Sequence, residues 1–151
     1  METLSTKGKM NINQLTNRTE VPVRFSEVDA LGIVWHGHYL KFFEDGREAF
    51  GKQYALGYLD VYQHQFVMPL ININVDFKKT VKYGDSVIIE TTFIDSPAAK
   101  VIFNYKVFRV SDNELVATGE STQVFTNLEH ELHITLPDFF KEWKKVNLLM
   151  C

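Results

Sequence analysis

Cysteine is all but missing from this chain of 151 residues: the single one, Cys151, is the last residue. A disulfide framework and a cysteine metal site are both excluded within one chain, which fits a reducing, cytoplasmic setting. A thiol on a fraying terminus also has no scaffold to hold it as a nucleophile. Long apolar runs are missing too. None approaches the roughly 18 residues of a membrane span, and the N-terminus lacks the continuous apolar core of a secretory signal. Basic charge is in short supply: 16 Lys and Arg stand against 19 Asp and Glu, for a net charge of −3. A nucleic-acid binder would normally carry a basic stripe, so no nucleic-acid partner is expected. His36 and His38 stand two apart, and no further histidine stands at ligand spacing from them: His64, His130 and His133 are remote. Zinc usually takes at least three protein ligands, so no metal is expected, nor any other cofactor.

What is present is enough material for one core and not two. Residues 1–19 are polar and aperiodic and read as a flexible N-terminal tail, with Met10 as a conceivable second start. Residues 20–147 read as a single domain. Val21-Pro-Val-Arg-Phe25 looks like a first strand, with Pro22 tolerable near its start or at a sheet edge. From about Gly37 the period changes. Tyr39, Phe42, Phe43, Gly46, Phe50 and Tyr54 recur at helical spacing, with Lys41, Asp45, Glu48 and Lys52 on other faces. Gly57 is placed to cap this helix. Gly46 falls on the apolar stripe, where glycine costs about 1 kcal/mol against alanine; it suits a helix lying close on a sheet.

The second half is strand after strand. Ile71, Ile73, Val75 and Phe77 alternate with Asn72, Asn74, Asp76 and Lys78. Turns at Lys82-Tyr-Gly-Asp85, Asp95-Ser-Pro-Ala98 and Ser111-Asp-Asn113 separate three further strands, reaching Ile94, covering Val101–Val107 and covering Leu115–Thr126. Pro137 opens a short terminal helix containing Phe139, Phe140 and Trp143. One strand, one long helix and a meander of four strands make an α+β fold, a curved antiparallel sheet wrapped around one long central helix. A single helix covers one sheet face, so a homo-oligomer is expected.

The most informative stretch runs from Arg24 to Tyr39. A strand breaks at Asp29-Ala-Leu-Gly32 and then feeds the start of the helix. An aspartate three residues before a glycine is ordinary turn punctuation when taken alone. Its position adds meaning, because the first N–H groups of a helix lack intrahelical partners and favour negative charge. Such groups can hold a carbonyl oxygen as it becomes an oxyanion, an effect of about 2.7–4 kcal/mol per donor. A carboxylate beside them could attack the carbonyl or activate water. Glu44 and Arg47, three apart, read as a helix-surface pair, with Glu44 a second carboxylate of interest.

The segment Arg24–Arg47, with Asp29, Gly32, Val34, His36, Tyr39, Phe43, Glu44 and Arg47, resembles the hotdog-fold acyl-CoA thioesterases of the 4-hydroxybenzoyl-CoA thioesterase-like family. The likeness continues through Val75-Asp-Phe-Lys-Lys-Thr80 and Tyr83-Gly-Asp85, and spans about residues 20–127. It implies the hotdog fold, a homodimer or homotetramer, and hydrolysis of an acyl-CoA, or an acyl carrier protein thioester, to a carboxylic acid and free thiol. It also implies roles: Asp29 as the catalytic carboxylate, nucleophile or base, and position 36 as the residue whose backbone N–H polarises the thioester carbonyl. Trp35 and Tyr39 would meet the acyl group, and Lys100 the nucleotide end of coenzyme A. His38 departs from the small or amide residue usual before the tyrosine. A thiol leaving group of pKa about 8.5 needs no strong general acid, so one carboxylate could suffice. The competing readings are a hotdog dehydratase, which the spacing from Asp29 to His36 fits less well, and a module that binds acyl-CoA without turnover.

Overall fold

The structure, a computed structural model, describes residues 15–148. Most of the expected tail, including Met10, lies outside the described residues, as does Cys151. The elements run β1 (Thr16–Pro22), a 3-10 turn (Phe25–Glu27), α1 (His38–Tyr54), α2 (Tyr58–Tyr62), β2 (Phe66–Val67), β3 (Leu70–Phe77), β4 (Ser86–Ile94), β5 (Lys100–Arg109), β6 (Glu114–Asn127), β7 (Leu132–His133) and α3 (Asp138–Asn147).

The sheet is antiparallel throughout, in the order β1–β4–β5–β6–β3, with β2 and β7 adding short rungs at the far end of β6. This corrects the expected four-strand meander. Only β4, β5 and β6 follow one another; β3 pairs with β6, Phe77 lying opposite Ala117. The link 78–85 crosses three strand spacings, about 14 Å. Alternation identifies a strand but carries no record of its neighbour.

β1 starts at Thr16, inside the stretch read as tail, and stops at Pro22 rather than Phe25. An edge strand half open to water needs few apolar residues. Here Arg18 reaches Glu90 at 2.6 Å and Thr16 Oγ1 lies 3.1 Å from Thr92 Oγ1. Pro22 ends the strand, where its missing N–H breaks little of the ladder.

α1 buries Tyr39, Phe42, Phe43, Gly46, Phe50 and Gly51. These meet the inward residues of the sheet, with Phe43 stacked on Tyr105 at 4.2 Å between ring centroids. A Cβ on Gly46 would overlap Thr91 Oγ1 and come within 2.8 Å of Ile89 Cγ2, so the glycine sets the close approach of helix to sheet. Gly57 does not cap this helix. Ala55 takes the left-handed conformation instead, at φ 57°, and Gly57 heads α2, its N–H donating to Asp60 Oδ2 at 2.8 Å. α3 closes the core from the other end: Phe140 and Trp143 pack on Phe93, and Trp143 Nε1 donates to the Tyr54 carbonyl at 2.7 Å.

β3 leaves one edge of the sheet open. It pairs on one side only, and Leu70, Ile71 and Phe77 are exposed. The alternation along it is real, yet only Ile73 and Val75 pack against the core, and the two ends of the stripe, Ile71 and Phe77, stay exposed.

Candidate active site

Residues 27–35 form a miniature hairpin. The Asp29 N–H donates to the Ile33 carbonyl at 2.9 Å, Val28 bridges Val34, and the Trp35 N–H donates to the Glu27 carbonyl at 3.0 Å. Its tip is closed by the Gly32 N–H on the Asp29 carbonyl, 2.9 Å, and the Leu31 N–H on Asp29 Oδ1, 2.8 Å. Gly32 sits at φ 79°, where a side chain would be strained, so the glycine is what lets the tip turn back. The returning arm is held from its other side as well. The Val34 N–H donates to the Val81 carbonyl at 2.8 Å, and Ile33 bridges Lys82. Asp29 therefore stands exposed on a tip whose backbone is fixed on both flanks.

Immediately after the last rung the chain enters α1. Among the described residues the His36 and Gly37 N–H groups donate to no protein acceptor, whereas those of His38 and Tyr39 bond back to Trp35 and His36. Two unpaired donors thus stand at the start of a long helix, directly after the hairpin that carries Asp29. The surrounding side chains are aromatic. Trp35, about half exposed, packs between His36 and His38, at 4.7 and 5.8 Å between centroids. Phe77 of β3 lies 6.5 Å from His36 and 5.1 Å from Tyr39. Tyr39 itself is buried, and burial pushes its phenol up. His38, unexplained by sequence, is one wall of the Trp35 slot.

Lys100 is not part of this cluster in the chain. It begins β5, seven residues from Val107, whose partner Ala117 faces Phe77. At about 3.3 Å per residue that is roughly 23 Å along the sheet. Two of the other histidines lie against aromatic rings: His64 stacks on Phe139 at 4.4 Å, and His133 meets Phe66 at 4.8 Å. Among the described residues no three His, Cys, Asp or Glu side chains gather as a metal would require.

Glu44 and Arg47 are not paired. Arg47 turns inward and donates to Tyr105 Oη at 2.9 Å, and Tyr105 in turn shares a 2.5 Å hydrogen bond with Ser121. Burial holds the Tyr105 phenol above its ordinary range despite the Arg47 charge beside it. Glu44 and Arg47 line one wall of a groove of about 920 Å³ that continues along Gly51, Leu56, Leu59 and Met68. Sequence reading missed one residue altogether. Glu27, in the 3-10 turn below the hairpin, is 5% exposed, and its carboxylate accepts the Arg24 N–H at 2.7 Å. Only its spacing of three from Arg24 hinted at a cap, and arginine is not a residue that signals one.

The profile of the thioesterase-like superfamily matches residues 23–144, from the end of β1 through α3. The chain belongs to the thioesterase-like superfamily. Its relatives within that superfamily are distant. YneP of Bacillus subtilis (strain 168), which carries the provisional name acyl-CoA thioesterase, is 28% identical over 127 residues, 84% of this chain and 91% of YneP. Among solved structures, the DHNA-CoA thioesterase from Staphylococcus aureus aligns with a TM-score of 0.78 at 24% identity, over 89% of this chain and 92% of that one. The 4-hydroxybenzoyl CoA thioesterase from Pseudomonas sp. strain CBS-3 aligns with a TM-score of 0.73 at 21% identity, over 85% and 98%. The architecture of this thioesterase-like chain is thus the hotdog fold, the long helix lying on a curved antiparallel sheet. No described helix is long and apolar enough to cross a membrane.

Proposed function

We propose that this protein hydrolyses an acyl-CoA thioester to a carboxylic acid and free coenzyme A. The observation that carries the reading is the sequence of three features within residues 29–37: an exposed carboxylate at Asp29, a rigid return arm, and two unpaired N–H groups at His36 and Gly37. The thioester oxygen would sit on the His36 N–H, and Asp29 would attack the carbonyl carbon or take a proton from the attacking water. The tetrahedral intermediate collapses by expelling the thiolate, whose modest basicity removes the need for a strong acid; where Asp29 itself attacked, the collapse leaves a mixed anhydride on its carboxyl group that water then hydrolyses, releasing the acid and restoring Asp29. Trp35 and Phe77, both exposed, offer an apolar wall to the acyl group, with the expected contact Tyr39 buried behind Phe77. Superfamily membership, and the names of the relatives, support a thioester substrate; a cytoplasmic setting suits a chain with one terminal cysteine.

The same reading favours a homodimer. β3 has an open hydrogen-bonding edge flanked by exposed Ile71 and Phe77. Antiparallel pairing with β3 of a second copy would set the Leu70 end of one strand against the Phe77 end of the other. That would bring the partner subunit's Lys100 to about three strand spacings, ~14 Å, from Phe77, where it could meet the nucleotide end of coenzyme A.

The test is a panel of acyl-CoAs, acetyl to palmitoyl and hydroxyaryl, with matched acyl carrier protein thioesters, followed by release of free thiol. Turnover of at least one acyl-CoA that is lost in Asp29→Asn is expected. Turnover only of carrier-protein thioesters would move the substrate to that class. Binding without thiol release from any of them would replace the enzyme by an acyl-CoA-binding module.

A further inference from the structure

The hydrolytic scheme leaves one buried carboxylate without a task. Glu27 is the only acidic residue buried among the described residues, at 5% exposure. A carboxylate withdrawn from water is costly unless hydrogen-bonded or paired, so its contacts must be accounted for. The carboxylate has two, and the backbone of the same residue makes a third; each goes to a different part of the site. Its Oε1 accepts the Arg24 N–H at 2.7 Å, closing the turn that leads into the hairpin. Its Oε2 lies 3.9 Å from Lys41 Nζ, on the first turn of α1. Its backbone carbonyl accepts the Trp35 N–H at 3.0 Å, the last rung before His36.

These contacts make a bracket. Asp29 stands two residues after Glu27, and the His36 N–H one residue after the Trp35 rung. The helix that aims the N–H is reached through Lys41. A movement of Glu27 would shift the Asp29 carboxylate relative to the oxyanion donors. We infer that Glu27 is a positioning residue for thioester cleavage, holding Asp29 and the His36 N–H in register through the Arg24, Trp35 and Lys41 contacts. The inference rests on the proposed hydrolytic reading. The geometry makes the hydrogen bond to the Arg24 N–H the main contact and the Lys41 charge, at 3.9 Å and partly exposed, a lesser one.

Glu27→Gln keeps an oxygen acceptor for the Arg24 N–H, and Glu27→Ala removes it. A misplacement of about 1 Å can cost on the order of 100-fold in rate. Glu27→Ala is therefore expected to lower kcat by about 30- to 100-fold with KM within about threefold, and Glu27→Gln to recover most of kcat. A double-mutant cycle with Asp29→Asn separates positioning from mere stability. Once Asp29 is gone there is nothing left to align, so adding Glu27→Ala should slow the residual hydrolysis less than about threefold. Amide hydrogen exchange supplies a readout independent of turnover: the Trp35 N–H should exchange faster in Glu27→Ala and near the wild-type rate in Glu27→Gln. Full kcat in Glu27→Ala, or equal losses with and without Asp29, would overturn the inference. So would Trp35 exchange unchanged in Glu27→Ala. If the wild-type protein releases no thiol from any thioester, the hydrolytic reading fails and the inference fails with it. The exchange result would then report only whether Glu27 braces the hairpin.

Discussion

Asp29→Asn separates the two jobs that one carboxylate holds in this structure. Asp29 Oδ1 accepts the Leu31 N–H at 2.8 Å, so the side chain builds the turn as well as facing the proposed reaction. Asparagine keeps an oxygen at that position and is itself a favoured turn residue. The fold should barely notice, with stability within about 0.5 kcal/mol for an exposed site. The chemistry should notice greatly. A positioned base or nucleophile contributes about 10²–10⁴ in rate, which is about 3–5 kcal/mol of barrier at 1.36 kcal/mol per tenfold. Asp29→Ala removes both functions. It should match Asp29→Asn in lost turnover and in addition lose about 0.5–1.5 kcal/mol from the Leu31 hydrogen bond. At about 2–4 °C per kcal/mol for a chain of this size, that is a drop of about 1–6 °C in Tm. The assay pairs free-thiol release with calorimetric melting for the three proteins. If Asp29→Asn keeps more than about a tenth of wild-type turnover while Asp29→Ala loses it, Asp29 is a turn residue and the mechanism is wrong.

Gly46→Ala should destabilise the protein by about 0.5–2 kcal/mol, because overpacking against Ile89 and Thr91 costs about 1–3 kcal/mol and outweighs about 1 kcal/mol of gained helix propensity; chemical denaturation measures it, and a stabilised variant would refute the close approach. Ile71→Lys places a charge on the open edge of β3, a common block to strand pairing. Light scattering should show a shift from dimer to monomer with melting of the monomer little changed, and an unaltered dimer would move the interface elsewhere. Tyr105→Phe leaves the Arg47 N–H and Ser121 hydroxyl without their shared partner and should cost about 1–3 kcal/mol in thermal or chemical unfolding; no change would mean that water replaces the phenol freely.

How much of this was legible in the sequence depends on the range of the interaction that fixed each feature. The long helix was legible because Tyr39, Phe42, Phe43, Gly46 and Phe50 face one sheet, and that face repeats with the helical period. The Asp29–Gly32 turn was legible because its hydrogen bonds close within four residues. The cap of α1 was misread because Gly57 has the better intrinsic claim to a left-handed turn, yet packing of Gly57 against Gly51 and its bond to Asp60 commit it to α2. Ala55 accepts the strained conformation instead. The place of β3 beside β6 and the inward turn of Arg47 to Tyr105 rest on partners far along the chain or on the crossing link 78–85. No local pattern records those.

The division of labour around the hairpin follows from what a thioester demands. Its leaving group departs without protonation by a strong acid, so the proposed site needs a carboxylate and an oxyanion donor in fixed relation and little else. Fixed relation is what the structure supplies most generously: the returning arm is bonded on one side to residues 27–29 and on the other to Val81 and Lys82, and Glu27 ties the base of the hairpin toward α1. The groove along Glu44, Arg47, Gly51 and Leu59 is built differently, from side chains on α1 and on the short, largely exposed α2. Changes there alter shape and polarity without touching the hairpin. On the proposed reading, the reaction is written into backbone hydrogen bonds that tolerate little substitution, and substrate choice into side chains that tolerate much. That separation predicts that swapping Trp35 or Phe77 will redistribute activity among acyl-CoAs, whereas substitutions at Asp29, Gly32 or Glu27 will lower activity toward all of them alike.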